Sequence, residues 1–119
     1  MTRGEGFGLP LLEAAASGLP VIATNWSAHT EFLNLINWTK VDYKLCEVHE
    51  SRVDNEIFMS GSKWAEADEK DFKSKLRYFK NNIKDIKRNA LEGAPALIEK
   101  YRWESVSKAY DECLKEVLL

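Results

Sequence analysis

The sequence predicts an α/β fold, with a short parallel sheet in residues 1–68 and several helices over residues 69–119. Three observations predict it. A glycine-rich opening runs into a helix and then a short β-branched strand. The last fifty residues carry apolar side chains at helical spacing. A chain of 119 residues with 45% hydrophobic and 30% charged side chains fits one ordinary globular domain and excludes wholesale disorder.

Four of the six glycines, Gly4, Gly6, Gly8 and Gly18, fall in the first eighteen residues. Pro10 suits a first helical turn, where its missing N–H costs nothing. Leu11, Leu12, Ala14, Ala15 and Ala16 continue that helix, and Ser17-Gly18 stops it. Pro20 precedes Val21-Ile22-Ala23-Thr24, which has the composition of a buried parallel strand. Loop, helix, glycine turn and strand in that order make the second half of a βαβ unit, whose first strand would precede Met1.

The middle of the chain is less regular. Ser27 or Thr30 is placed to cap a short helix through Glu31-Phe32-Leu33. Thr39 to Tyr43 alternates as one short strand does. The polar stretch Val48–Lys63, with a Ser60-Gly61-Ser62 turn, reads as an excursion loop that Trp64–Asp68 ends. Beyond it, Phe72, Leu76, Phe79, Ile83 and Ile86 step by three and four, with Asn81-Asn82 as a break. Ala90, Leu91, Ala94, Leu97, Ile98 and Tyr101 continue the pattern, and Gly93 and Pro95 predict a kink or restart. Trp103, Val106, Tyr110, Cys113 and Val117 form a last apolar stripe.

Composition excludes several roles. A net charge of −2 gives no overall attraction to nucleic acid. Cys46 and Cys113 stand far apart with no Cys or His cluster, which fits buried thiols in a reducing cytoplasm better than a disulfide or zinc site. No uncharged stretch reaches the ~18 apolar residues of a membrane span. Arg3, the apolar Gly6–Ala16 and the small residues that end it imitate a signal peptide, but Glu5, Glu13 and Pro10 interrupt the pattern. A cytoplasmic chain is expected.

The chemistry concentrates in Arg3-Gly4-Glu5-Gly6-Phe7-Gly8-Leu9-Pro10-Leu11-Leu12-Glu13. A helix N-terminus offers unpaired N–H groups and about half a positive charge to a phosphate. Gly6 and Gly8 let an anion approach the backbone without a Cβ in the way. Glu5 and Glu13 flank that cradle with acceptor-only carboxylates, which suit hydroxyls rather than phosphate. A diphosphate with a sugar at each end, as in a nucleotide sugar, satisfies both. The residues alone leave a plainer alternative open, with Glu13 a solvated helix side chain and the glycines merely starting a helix. Neither a Walker loop nor a Gly-x-Gly-x-x-Gly fingerprint is present.

Residues 3–33 closely resemble the donor-site motif of the group 1, family four retaining glycosyltransferases. The shared elements are Glu5, seven residues, Glu13, then Ala14, Ala16, Gly18, Pro20 and Val21. Weaker similarity continues through Val41-Asp42-Tyr43, Trp64–Asp68 and Tyr101-Arg102-Trp103-Glu104. The resemblance implies the C-terminal, donor-binding part of the two-domain GT-B architecture: a partial Rossmann-like unit, and a single incomplete nucleotide-sugar-binding domain over residues 1–119. It implies that Glu5, as the catalytic residue, meets hydroxyls of the transferred sugar. By the same resemblance Gly6, Phe7, Gly8 and Leu9 offer backbone N–H groups to sugar or diphosphate, and Glu13 holds the ribose. Transfer of hexosyl type would proceed with retention and without a metal. The family's Arg and Lys that meet the diphosphate lie upstream of this motif, so 119 residues are expected to be inactive alone, and to need a missing N-terminal fragment or to self-associate. Ala28-His29 and Arg102 depart from the usual family residues.

Other residues read plainly. His29 is expected on a surface loop, with the donor cleft as the alternative, and His49 receives no role. The four tryptophans are packing residues, with a sugar platform open for Trp26 only. The eight basic residues from Lys70 to Arg88, against Asp71 and Asp85, read as the solvated side of a helix. Contact with a membrane is the alternative for that face.

Overall fold

A computed structural model describes residues 1–118. It is mixed α/β, with a two-stranded parallel sheet, a separate antiparallel pair and several C-terminal helices. The first helix, α1 (Leu9–Ala16), carries Pro10 in its first turn. It ends at Ser17, and Gly18 follows at φ 75. Gly18 is required twice over, because a Cβ there would also meet Leu91 Cδ2 at 2.6 Å.

Strand β1 (Ile22–Thr24) pairs in parallel with β2 (Thr39–Val41), across the short helix α2 (His29–Leu33). Ala28 stands at the N-cap of α2 without a side-chain cap, so the cap expected from Ser27 or Thr30 is not made. Instead the Thr30 hydroxyl donates to the Ser27 carbonyl.

The single strand predicted from Thr39 to Tyr43 is two. Asp42 breaks it because both of its backbone groups are taken: its N–H donates to Asp71 Oδ2 and its C=O accepts from Asp68 N–H. The chain then turns into β3 (Tyr43–Glu47), antiparallel to β4 (Lys63–Ala67). Residues 64–67, read from sequence as the end of a loop, are thus a strand. Between the two strands lies the excursion, with a 3₁₀ turn at Glu50–Arg52. His49 caps that turn, its Nδ1 accepting from Ser51 N–H.

Helices α3 (Glu69–Asn81), α4 (Ile83–Tyr101) and α5 (Trp103–Leu118) follow. Asp68 caps α3 by accepting from Asp71 N–H. The break at Asn81-Asn82 is present, and α4 runs through Gly93 and Pro95 as one helix, so the predicted restart does not occur. Gly93 serves packing, since a Cβ there would lie 2.9 Å from Ile36 Cγ2. The Pro95 ring removes the helical hydrogen bond to the Leu91 carbonyl, at a place where both residues are exposed.

The core is small. Leu12 and Ala15 of α1, Val21 and Ala23 around β1, Phe32 and Leu33 of α2, and Leu97 of α4 form one buried cluster. The long stripes of the last helices contribute less than their periodicity suggests. No residue of α3 or α5 is buried, and Trp103 and Val117 are 78% and 79% exposed. The Cα radius of gyration is 17.4 Å, over 47 × 45 × 16 Å. A compact chain of this length would have about 13.5 Å. Exposed apolar side chains lie along α5, whereas Val21, Ala23 and Thr24 around β1 are buried.

Two further expectations are corrected. Cys113 lies on the exposed α5 and Cys46 is half-buried, so neither thiol is a core residue. His29 is fully buried rather than on a surface loop, because the chain enters α2 directly under α1. The basic segment is exposed, with Lys73, Lys75 and Arg88 in ion pairs along their own helices. No helix is long and apolar enough to cross a membrane among the described residues.

Candidate functional site

The glycine-rich segment is tied down residue by residue. The Thr2 carbonyl accepts from the Thr24 hydroxyl at 3.0 Å, and the Arg3 carbonyl accepts from Ala65 N–H at 3.0 Å. The Arg3 guanidinium pairs with Glu66 at 2.8 Å and stacks 4.5 Å over Trp64. The cation nearest the motif is therefore committed to strand β4. Glu5 is held through its backbone by the Ser27 hydroxyl, while its half-buried side chain takes no hydrogen bond or ion pair among the described residues.

Phe7 anchors the middle of the loop. Its ring lies 5.5 Å from Phe32 and 6.0 Å edge-on from Tyr101, and those two rings are 6.2 Å apart. Three aromatic rings in mutual contact join the loop to α2 and to the end of α4. Sequence reasoning gave Phe7 only a backbone role. Its apolar side chain among glycines was the available signal.

Gly8 caps α1 in the left-handed region, at φ 87, and its carbonyl accepts from Leu11 and Leu12 N–H. A Cβ on Gly8 would lie 3.0 Å from His29 Cβ. The fold itself therefore demands this glycine. Gly4 and Gly6 differ: their added Cβ atoms would meet nothing within 4 Å, so the space over them is open.

His29 supports the loop from below. Its Nε2 lies 2.7 Å from the Thr24 carbonyl, which only accepts, so the proton is assigned to Nε2. Nδ1 is then an acceptor, buried without a partner. Trp38 meets the His29 ring edge-on at 6.2 Å. The donor-cleft alternative for His29 gains no contact in this arrangement. Trp26 packs on Tyr43 at 5.3 Å, in keeping with its packing role.

The predicted site residues follow one another along the loop Glu5–Gly8 and the start of α1 as far as Glu13, a run of chain termed the ledge. The N–H groups of Gly6, Phe7, Gly8 and Leu9 take no hydrogen bond among the described residues. Glu13 is exposed one turn into the helix and unpaired. A groove of about 630 Å³ lies elsewhere, between α4 and α5, lined by Tyr101, Val106, Ala109, Tyr110 and Cys113 among others. Its lining is mainly apolar, and its polar groups are engaged with the protein itself, the Ser105 hydroxyl donating to the Glu99 carbonyl and the Glu99 carboxylate pairing with Arg102, which marks exposed packing surface. No group of three His, Cys, Asp or Glu is placed to hold a metal ion among the described residues.

Searches of curated proteins and of solved structures return no match. A protein-family model, described as family 4 glycosyltransferase in conflict systems, matches residues 1–109, which takes in the ledge, both sheets and most of the helical part. The chain belongs to that family of glycosyltransferases.

Proposed function

We propose that this chain is the donor-binding part of a retaining, hexosyl-type glycosyltransferase, a single incomplete Rossmann-like domain of the GT-B kind. The observation that carries the reading is the ledge: four consecutive unpartnered N–H groups at a helix start, with an unpaired carboxylate on either side. The N–H groups of Gly6, Phe7, Gly8 and Leu9 and the α1 dipole meet the diphosphate. Glu13 accepts from the ribose hydroxyls. Glu5, the catalytic residue, accepts from hydroxyls of the transferred sugar and so fixes the anomeric carbon for attack on the face that retains configuration. Open space over Gly6 leaves room for the donor where the fold asks for no glycine.

One wall is insufficient for turnover. Positioning both reactants accounts for ~7–11 kcal/mol of barrier lowering. Here Arg3, the cation nearest the motif in sequence, is paired with Glu66. The isolated chain binds a donor weakly and transfers no sugar at the rate of a complete enzyme. The second wall comes from outside these 119 residues, as an N-terminal part or a second copy.

A second reading, a non-catalytic module that binds a nucleotide sugar or pairs with another chain, is favoured by the exposed apolar face of α5. Activity separates the two. A supplied N-terminal glycosyltransferase domain that restores transfer, with Glu5→Gln abolishing it, supports the enzyme. Donor binding that persists without any restored transfer supports the module.

A further inference from the structure

Ser27 stands at φ 86, in the left-handed region that side chains other than Asn, Asp and Gly seldom adopt. It has no glycine's freedom, and its conformation persists because its neighbours over-determine it. The Ser27 carbonyl accepts from the Thr30 hydroxyl at 2.7 Å and from Thr30 N–H at 3.1 Å. The Ser27 hydroxyl accepts from Glu5 N–H at 2.8 Å and donates to the Glu5 carbonyl at 2.7 Å.

Those two bonds have a geometric consequence. The N–H of Glu5 belongs to the peptide plane before its Cα, and the carbonyl belongs to the plane after it. Fixing both planes from one oxygen fixes φ and ψ of Glu5 together, and with them the direction of its Cα–Cβ bond. Flanking residues leave that task to Ser27, since Gly4 and Gly6 have no side chains to pack. Glycine at position 27 would reach φ 86 without strain but could hold neither plane.

We infer that Ser27 is a positioning residue: its strained backbone places one hydroxyl to clamp both peptide groups of Glu5 and thereby aims the Glu5 carboxylate at the donor sugar. The inference rests on the donor-binding reading above. It predicts a separation between the sugar and nucleotide parts of the ligand, because Glu5 serves the sugar while Gly6–Leu9 and Glu13 serve the nucleotide.

The test titrates the full chain with nucleoside diphosphates and with the corresponding nucleoside-diphosphate hexoses, following backbone amide resonances. Wild type, Ser27→Gly, Ser27→Ala and Glu13→Ala are compared, with thermal melts for each. Ser27→Gly should weaken nucleotide-sugar binding about tenfold, as expected for one partly lost charge-assisted hydrogen bond, and leave the plain diphosphate unchanged. Its Glu5 amide should exchange faster with solvent, while its melting temperature stays near that of wild type because strain is relieved. Ser27→Ala should show the same loss for the sugar with a lower melting temperature. Ser27→Gly binding both ligands as wild type does, or losing both equally, overturns the clamp while the Glu13→Ala loss upholds the donor site. Binding of neither ligand by wild type, or no effect of Glu13→Ala, overturns the donor-binding reading and the clamp with it.

Discussion

Gly8→Ala and Gly6→Ala are the same change two residues apart, and they should behave oppositely. At Gly8 the new methyl enters a backbone at φ 87 and would lie 3.0 Å from His29 Cβ, with Leu11 Cδ1 and Phe32 Cζ at 3.7 Å. The left-handed conformation costs an alanine about 1–2 kcal/mol. His29 is fully buried and held to the Thr24 carbonyl, so it yields only by shifting α2, an overpacking cost of about 1–3 kcal/mol. Unfolding entropy near ~2.1 cal/mol/K per residue converts the combined ~2–5 kcal/mol into roughly 8–20 °C of melting temperature for a chain of this length. Gly6 has neither a positive φ nor a neighbour within 4 Å, so Gly6→Ala should stay within about 0.5 kcal/mol, or roughly 2 °C. Differential scanning calorimetry of wild type and both variants reads this directly. If Gly8→Ala melts with wild type, or Gly6→Ala melts as low as Gly8→Ala, the placement of the loop on α2 is wrong.

Other expectations follow from burial and charge. Leu97→Ala removes a fully buried side chain from the main cluster and should destabilise by about 2–5 kcal/mol in urea unfolding. Asp54 is held below its ordinary value chiefly by the backbone N–H groups of Glu56, Phe58 and Ile57. Glu69 is lowered by Lys73, and Asp71 first by the Asp42 N–H and then by Lys75. Folded-state values below the unfolded ones mean that these groups stabilise fully above the ordinary carboxylate range and lose that contribution as pH falls through their folded values. Melting temperature should therefore hold between neutrality and about pH 5, then fall below about pH 4. The amides of Glu56, Ile57 and Phe58 should lose protection over the same range, and a melt independent of pH down to the lowest values would refute the assignment. In the native protein a thiol reagent should modify the exposed Cys113 before the half-buried Cys46, as peptide mapping would show.

The parts of this fold that were legible in the sequence are those where local chemistry and tertiary context agree. Pro10 and Gly18 bound α1 by backbone geometry alone, and β1 is named by its β-branched run. Asp42 could not be read, because it splits a strand through bonds to Asp68 and Asp71, nearly thirty residues away. Pro95 suggested a restart for a local reason, its missing N–H, yet it stands at an exposed position and α4 continues through it. His29 and α5 mark a further limit. Periodicity shows that a face is apolar, and His29 and the Trp103–Val117 stripe show that it does not say whether anything covers it. At the ledge, the motif identified the backbone donors and carboxylates as candidates, whereas the supporting residues were silent. Ser27, Phe32 and Tyr101 act through contacts far apart in the chain, and Ser27 is distinguished by its left-handed backbone, which its residue type does not announce.

The most direct test of the central claim is a backbone amide titration of the wild-type chain with a panel of nucleoside-diphosphate hexoses. Binding at the ledge predicts that the resonances of Gly6, Phe7, Gly8 and Leu9 move first and furthest with at least one donor, and that Glu13→Ala removes the response. Shifts confined to the groove between α4 and α5, or no shift in residues 5–13 with any donor at millimolar concentration, would contradict it.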